Sequence, residues 1–361
     1  MRRPLLTLAA FFAVVPAASA GVAADAARSF ERGFFVASPG GVAVSAARVV
    51  GWHRLAVRAT RGSNISPNLL EAMIFVESSG RPRVVGFGGR RGLTQVSTRP
   101  LPPLAQLRAT VRRLERARRV LGRVDLAVAS YHLGVRRLAN ARSYARFYFR
   151  SRLQGTRVDY YWKVLAAERV LGLYRHHRRA LYYEQRLQLK KGSAEEVLHP
   201  RRSTRQFRTP AAIVRARQRH LLVPIPHDWR RTHIRIGPQL GALAPRLGRR
   251  RMLYAALRPQ ALDVLLYLGR SVHRPLVLTS AVRDKRYQRV LTRVNAAATR
   301  AYSVHTTGFA FDLLRTPRIV PALNRLTAVN AIAYIAELGA FHVAVASDAP
   351  RKLALLRTLA R

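Results

Sequence analysis

His305 and Asp312 stand on either side of Gly308 in the segment SVHTTGFAFDLL, residues 303–314. An imidazole and a carboxylate so placed can take two sides of a metal ion. Zinc favours tetrahedral sites of imidazole and carboxylate, and a hydrolytic zinc keeps one position open for water, so a second histidine must come from elsewhere in the chain. His342, in the apolar run FHVAVA, is the candidate. Gly308 lets the backbone turn tightly, after which Phe309 to Leu314 can carry Asp312 into a buried sheet. A buried aspartate requires a positive partner, a metal or an arginine, and the second histidine favours the metal.

A second group with chemical potential is Glu77. In ISPNLLEAMIFVESSGRP, Leu70, Met73 and Ile74 precede it at helical spacing, so its carboxylate is expected on the apolar face of its helix. A carboxyl group there resists ionising, and a retained proton is what a general acid needs to protonate a glycosidic oxygen. The alternative is a carboxylate that makes only a buried hydrogen bond. Glu71, Glu115, Asp125 and Asp159 sit on other faces or other helices and offer no second carboxylate partner.

The elements that must position these groups differ along the chain. Residues 1–20 have a basic start, an apolar run from Leu5 to Val15 and the small residues Ala18, Ser19 and Ala20, which reads as a signal peptide for export. Residues 21–60 look like a linker broken at Pro39-Gly40-Gly41. Residues 61–178 carry helical periodicity throughout and predict an all-α domain. Residues 179–235 are dense in arginine and proline and read as a basic connector, with a capped turn at Ser193 to Glu196. Residues 236–361 mix the two periodicities, with strands at PLVLTS, GFAFDLL and FHVAVA and a long helix through LTAVNAIAYIAEL, which predicts an α+β domain with a small sheet.

The chain of 361 residues has 49% hydrophobic content, enough for folded cores, and no cysteine, so no disulfide contributes. Its net charge of +48, almost all from arginine, reads either as a surface for polyanions or as a general composition bias toward arginine, alanine and leucine. In an exported protein the polyanions are anionic wall polymers or membrane headgroups; nucleic acid is disfavoured by the compartment and by the lack of a recognised binding motif.

Two resemblances follow. Glu77-Ser78, Arg91 to Gln95 and Ala129 to Gly134 resemble the E-S, G-L-M-Q and A-Y-N-A-G motifs of lytic transglycosylases with a lysozyme-like fold, over residues 61 to 173. That resemblance implies Glu77 as acid and then base, Ser78 and Gln95 lining a glycan cleft, and Tyr131 orienting the glutamate or the substrate. Thr94 and His132 depart from it, standing where the family has methionine and asparagine. Ser303, His305, Gly308, Ala310 and Asp312 match every fixed position of the S-x-H-x-x-G-x-A-x-D motif of zinc D-Ala-D-Ala peptidases, over residues 250 to 346. This implies zinc on His305, Asp312 and His342, Arg283 facing the carbonyl oxygen of the cut bond, and Ser303 among the substrate contacts. The proton-accepting glutamate of that family falls at Gly339 here, which leaves Glu337, two residues earlier, as the catalytic candidate. Both resemblances point to peptidoglycan. The expectation is an exported, secreted or wall-associated hydrolase with an all-α lysozyme-like domain followed by an α+β zinc-peptidase-like domain. The alternative is a non-catalytic wall-binding or scaffolding protein.

Overall fold

A computed structural model describes residues 17–151, 153, 157–189, 198–199, 203–272, 274–295 and 298–360. The basic start and apolar run of the expected signal peptide, and the turn at Ser193 to Glu196, lie outside them. Ala18 to Ala20 fall within the first helix.

The N-terminal part is helical: α1 (Ala17–Ala37), α2 (Val42–Val50), α3 (His53–Thr60), α4 (Pro67–Ser78), α5 (Pro103–Leu121), α6 (Val124–Leu133), α7 (Tyr144–Arg150), α8 (Tyr160–His176) and α9 (Arg178–Leu189). Three of these occupy the stretch expected as a linker. Its alanines and valines give a weak hydropathy pattern, yet alanine is the best helix former and small side chains allow close packing. Val22, Ala26, Val42, Ala46 and Val49 are completely buried. α4 begins at Ser66, whose hydroxyl accepts from the Leu69 amide, with Pro67 in the first turn, and it stops where Ser79 turns left-handed at φ 53°.

The C-terminal part is built on a five-stranded sheet: β2 (Ile234–Ile236), β4 (Leu276–Ser280), β5 (Ala310–Leu314), β7 (Ala340–Val345) and β6 (Ile332–Ala336), in that spatial order. β2 and β4 are parallel and the other pairs antiparallel. A two-strand ribbon, β1 (Val223–Pro224) with β3 (Ala256–Leu257), flanks it. α10 (Pro210–Gln218), α11 (Trp229–Thr232), α12 (Pro259–Arg270), α13 (Lys285–Val294), α14 (Val320–Ala328) and α15 (Ala349–Ala360) are the further helices among the described residues. This is an α+β arrangement, as expected.

Two expectations need correction. The second half of the basic connector belongs to the folded unit: Ile213 and Ala216 of α10 bury against Tyr254, Val282 and Tyr287, and Ile234 enters the sheet edge. Its arginines point outward and masked the spaced apolar residues between them. The long helix through residues 326–338 is instead the end of α14 followed by β6. Asn330 turns left-handed at φ 55°, and the run IAYIA beyond it pairs along its whole length with β7.

No apolar seam separates the two parts. One continuous core runs from Val22, Tyr144 and Trp162 through Leu268 and Phe311 to Leu323 and Leu356. α1 packs on both α8 and α14, and α15 on both α7 and α12. A second core, beneath α2 to α5 and α8, supports Glu77. Among the described residues, no single helix is long and apolar enough to cross a membrane.

Candidate metal centre and a second cleft

Strand register builds the first site. Ser280 pairs with Asp312, Asp312 with His342 and His342 with Ile335, so these four residues form one row across β4, β5, β7 and β6. Directly paired residues share a face of the sheet, which puts the Asp312 and His342 side chains next to each other. His305 arrives from the 3-10 turn Val304–Thr307 just before β5. Gly308 ends that turn at φ +81°, and a Cβ there would lie 2.7 Å from Leu222 Cδ2. Only glycine suits both the conformation and the space.

The three side chains converge. Asp312 Oδ1 lies 2.7 Å from His342 Nδ1 and 3.1 Å from His305 Nε2, and the two ring nitrogens are 3.0 Å apart. All three residues are buried. His305 Nδ1 is 2.8 Å from the Ala281 carbonyl oxygen, which can only accept, so Nδ1 carries the proton and Nε2 turns its lone pair toward the cluster. A lone pair facing a carboxylate oxygen at this distance is repulsive unless a cation or a shared proton lies between them. The donor set therefore fits a metal ion. Zinc-type bonds of about 2.0–2.1 Å in tetrahedral array place ligand atoms roughly 3.3 Å apart, a few tenths of an ångström wider than found here.

Electrostatics prepare the same outcome. Burial, followed by the nearby Arg283 charge, holds His305 below the ordinary histidine value. Burial by itself would raise Asp312. The two imidazole rings set against the carboxylate outweigh it and hold the carboxyl well below its usual range. Arg283 donates to Asp312 Oδ2 at 2.9 Å, to Ser280 Oγ at 2.7 Å and to Gln288 Oε1 at 3.2 Å, so it orients the carboxylate and leaves Oδ1 for the ion.

Two residues expected at this site lie apart from the cluster. Ser303 is buried and uses its carbonyl to accept from the Thr306 amide and hydroxyl; its own hydroxyl makes no hydrogen bond to the cluster. Glu337 is exposed in the hairpin between β6 and β7 and makes no ion pair with the three ligands. Its backbone amide bonds the Ala340 carbonyl at 2.8 Å. An extended continuation of β6 would place it on the Ile335 side of the sheet, roughly 7 Å further along the strand.

The second site is a cleft of about 490 Å³ bounded by the end of α4, the loop from residue 86 to 95, and α6. Glu77 faces it at the last turn of α4, and Oε1 lies 3.0 Å from His132 Nε2. The His132 ring stacks on Tyr160 at a centroid distance of 3.8 Å. Arg90, Arg113 and Arg157 also line the cleft, and Phe87, 88% exposed, stands at its rim.

The expected substrate contacts divide here. Gln95 lines the cleft; its side-chain amide donates to the Val84 and Gly92 carbonyls, and its Oε1 is buried without a partner. Tyr131 also lines it, but its hydroxyl donates to the Thr94 carbonyl at 2.8 Å, with burial pushing the phenol up to about 12. It is His132 that holds Glu77. Ser78 is buried and its hydroxyl bonds the Ile74 carbonyl, facing away from the cleft. Thr94 is fully buried and accepts from the Thr110 hydroxyl, so it braces the loop against α5.

Sequence reasoning missed His132 as the partner of Glu77, reading it only as a departure from the A-Y-N-A-G motif. It also missed Glu71, completely buried and ion-paired to His53 and Arg175, and Asp284, which caps α13 and accepts from Tyr254. The sequence matches no protein-family model, and neither a curated protein nor a solved structure shows significant similarity to it.

Proposed function

We propose that the chain is an exported peptidoglycan hydrolase or remodelling protein, cutting wall peptides with zinc held by His305, Asp312 and His342, and glycan strands with Glu77. The observation that carries the reading is the meeting of three metal-ligand atoms, each within 4.8 Å of the others, from separate elements of the sheet unit. Zinc bound there supplies Lewis acidity toward a carbonyl group and an activated water near neutral pH. The chain's own part is to hold the ligands: Ala281 fixes the His305 tautomer, and Arg283 and Ser280 fix Asp312. For Arg283 to meet a peptide carbonyl oxygen, it must exchange one of those bonds. Glu337 is the nearest acidic residue of the β6–β7 hairpin for accepting a proton, after a movement of that hairpin.

The glycan activity is supported by Glu77 facing a cleft that also contains Gln95 and His132, with an exposed aromatic ring at its rim for a sugar face. The exposed position of Glu337 favours a second reading, a wall-binding protein without peptidase turnover. Incubation with purified sacculi decides between them. Chelator-sensitive release of peptides, lost in His305→Ala, supports the zinc reading. Release of anhydro-sugars, lost in Glu77→Gln, supports the glycan reading. Binding with neither release supports the second reading.

A further inference from the structure

A hollow of about 830 Å³ lies between α10, the segment 203–209 before it, and the starts of α12 and α13. Among the described residues, Arg205, Arg208, Arg215, Arg219, Arg258 and Lys285 line it and no carboxylate does. Among the described residues, Arg258 alone of the six has a side-chain hydrogen bond, from Nε to the Thr307 carbonyl at 2.9 Å. The other five carry no side-chain partner. Cations brought together this way repel one another, and an anion of several charges relieves that repulsion.

We infer that this hollow binds an oligophosphate, as a free chain of phosphates or as the backbone of a phosphodiester polymer, and that its occupant stiffens the turn carrying His305. Guanidinium groups pair with phosphate oxygens in two-pronged fashion, and several phosphates in series match several cations around one hollow better than a single carboxylate. The volume is that of an ordinary ligand site. The wall of the hollow is tied directly to the turn. Gln206 Nε2 donates to Thr306 Oγ1 at 2.7 Å, the Phe207 amide to the Thr306 carbonyl at 2.6 Å and the Arg258 amide to the Gly308 carbonyl at 3.0 Å. An anion clamped between Arg258 and the α10 arginines thus holds residues 303–308 from behind. The significance of that stiffening rests on the zinc reading; the anion site does not.

Calorimetric titration of the full chain with inorganic tripolyphosphate at about 0.15 M salt, where long-range surface attraction is screened, tests it. One saturable site per chain is expected. Combined Arg208→Ala, Arg215→Ala and Arg219→Ala should weaken it at least tenfold. The control set Arg112→Ala, Arg116→Ala and Arg119→Ala, on exposed positions of α5, should change it less than twofold. No saturation, or equal loss in both sets, overturns the site. A short poly(glycerol phosphate) competing for the same site identifies the polymer as source, and failure to compete identifies the free chain. Amide exchange at residues 303–308 should slow on addition of tripolyphosphate; unchanged exchange there overturns the link to the turn. Because none of these readouts is turnover, they stand whether or not the sacculus assays show activity.

Discussion

The zinc reading makes a quantitative demand on His305. A ligand that binds only the folded chain stabilises it by about 2.7 kcal/mol at a hundredfold excess over its dissociation constant and about 4.1 kcal/mol at a thousandfold. For a chain of this size 1 kcal/mol moves the melting point by roughly 1.3 °C, so saturating zinc should raise it by about 3.5–5.5 °C. The continuous core spanning both parts makes a single transition the expected report. His305→Ala removes a ligand and leaves the Ala281 carbonyl without its donor. That loss costs about 1–3 kcal/mol without any metal, and so lowers the metal-free melting point by a few degrees. The decisive quantity is the zinc increment, which should vanish in the variant. Scanning calorimetry of chelator-treated protein, with and without added zinc, measures both. An equal increment in His305→Ala, or none in the unaltered chain, would refute the cluster as a zinc site.

Other consequences are equally direct. Gly308→Ala sets a side chain at φ +81° with its Cβ 2.7 Å from Leu222, and should cost about 1–3 kcal/mol in denaturant unfolding while also weakening zinc uptake. His132→Ala removes the contact that fixes Glu77, so anhydro-sugar release should fall at least tenfold through kcat with KM little changed; an unchanged kcat counts against that positioning role. Glu31, buried beside Arg169, is pushed up to about 7, chiefly by burial, from an ordinary 4.5. A raised carboxyl contributes stability that is complete below pH 4.5 and is lost as pH climbs through 7, by about 3 kcal/mol in total. Glu31→Gln should flatten that slope in pH-dependent unfolding, and an unaltered slope would assign the pH dependence elsewhere.

The meeting of His305, Asp312 and His342 was legible because its logic is local in part. A histidine, a glycine and an aspartate around one turn limit what the backbone can do, and a strand pattern at 341–346 limits where His342 can point. Arg283 was expected to face the carbonyl oxygen of the cut bond, whereas its guanidinium is held by Asp312 and by Ser280, which the register of β4 and β5 pairs with Asp312. Ser78 was misplaced for a simple reason: adjacent helix residues are turned about 100° apart, so when Glu77 faces the cleft its neighbour faces the core. His132 looked like a departure from a pattern, and only the crossing of α4 and α6 shows that its ring meets Glu77. The helices of residues 17–60 were hidden by small residues whose contribution depends on close approach to α8 and α14, something no hydropathy pattern records. The same holds for β6, where tertiary pairing with β7 overrides a helical reading.

The row Ser280, Asp312, His342 and Ile335 has a further consequence for how the chain reaches its folded state. Side chains alternate sides along each strand, so sliding β7 by one residue against β5 would turn His342 to the opposite surface and bring Val343 or Phe341 in its place. A misaligned sheet could still bury its valines and phenylalanines, but it would hold no ion. On the zinc reading, the ion present during refolding would then act as a proofreader, trapping the correctly aligned β5–β7 pairing and leaving slipped pairings free to reopen.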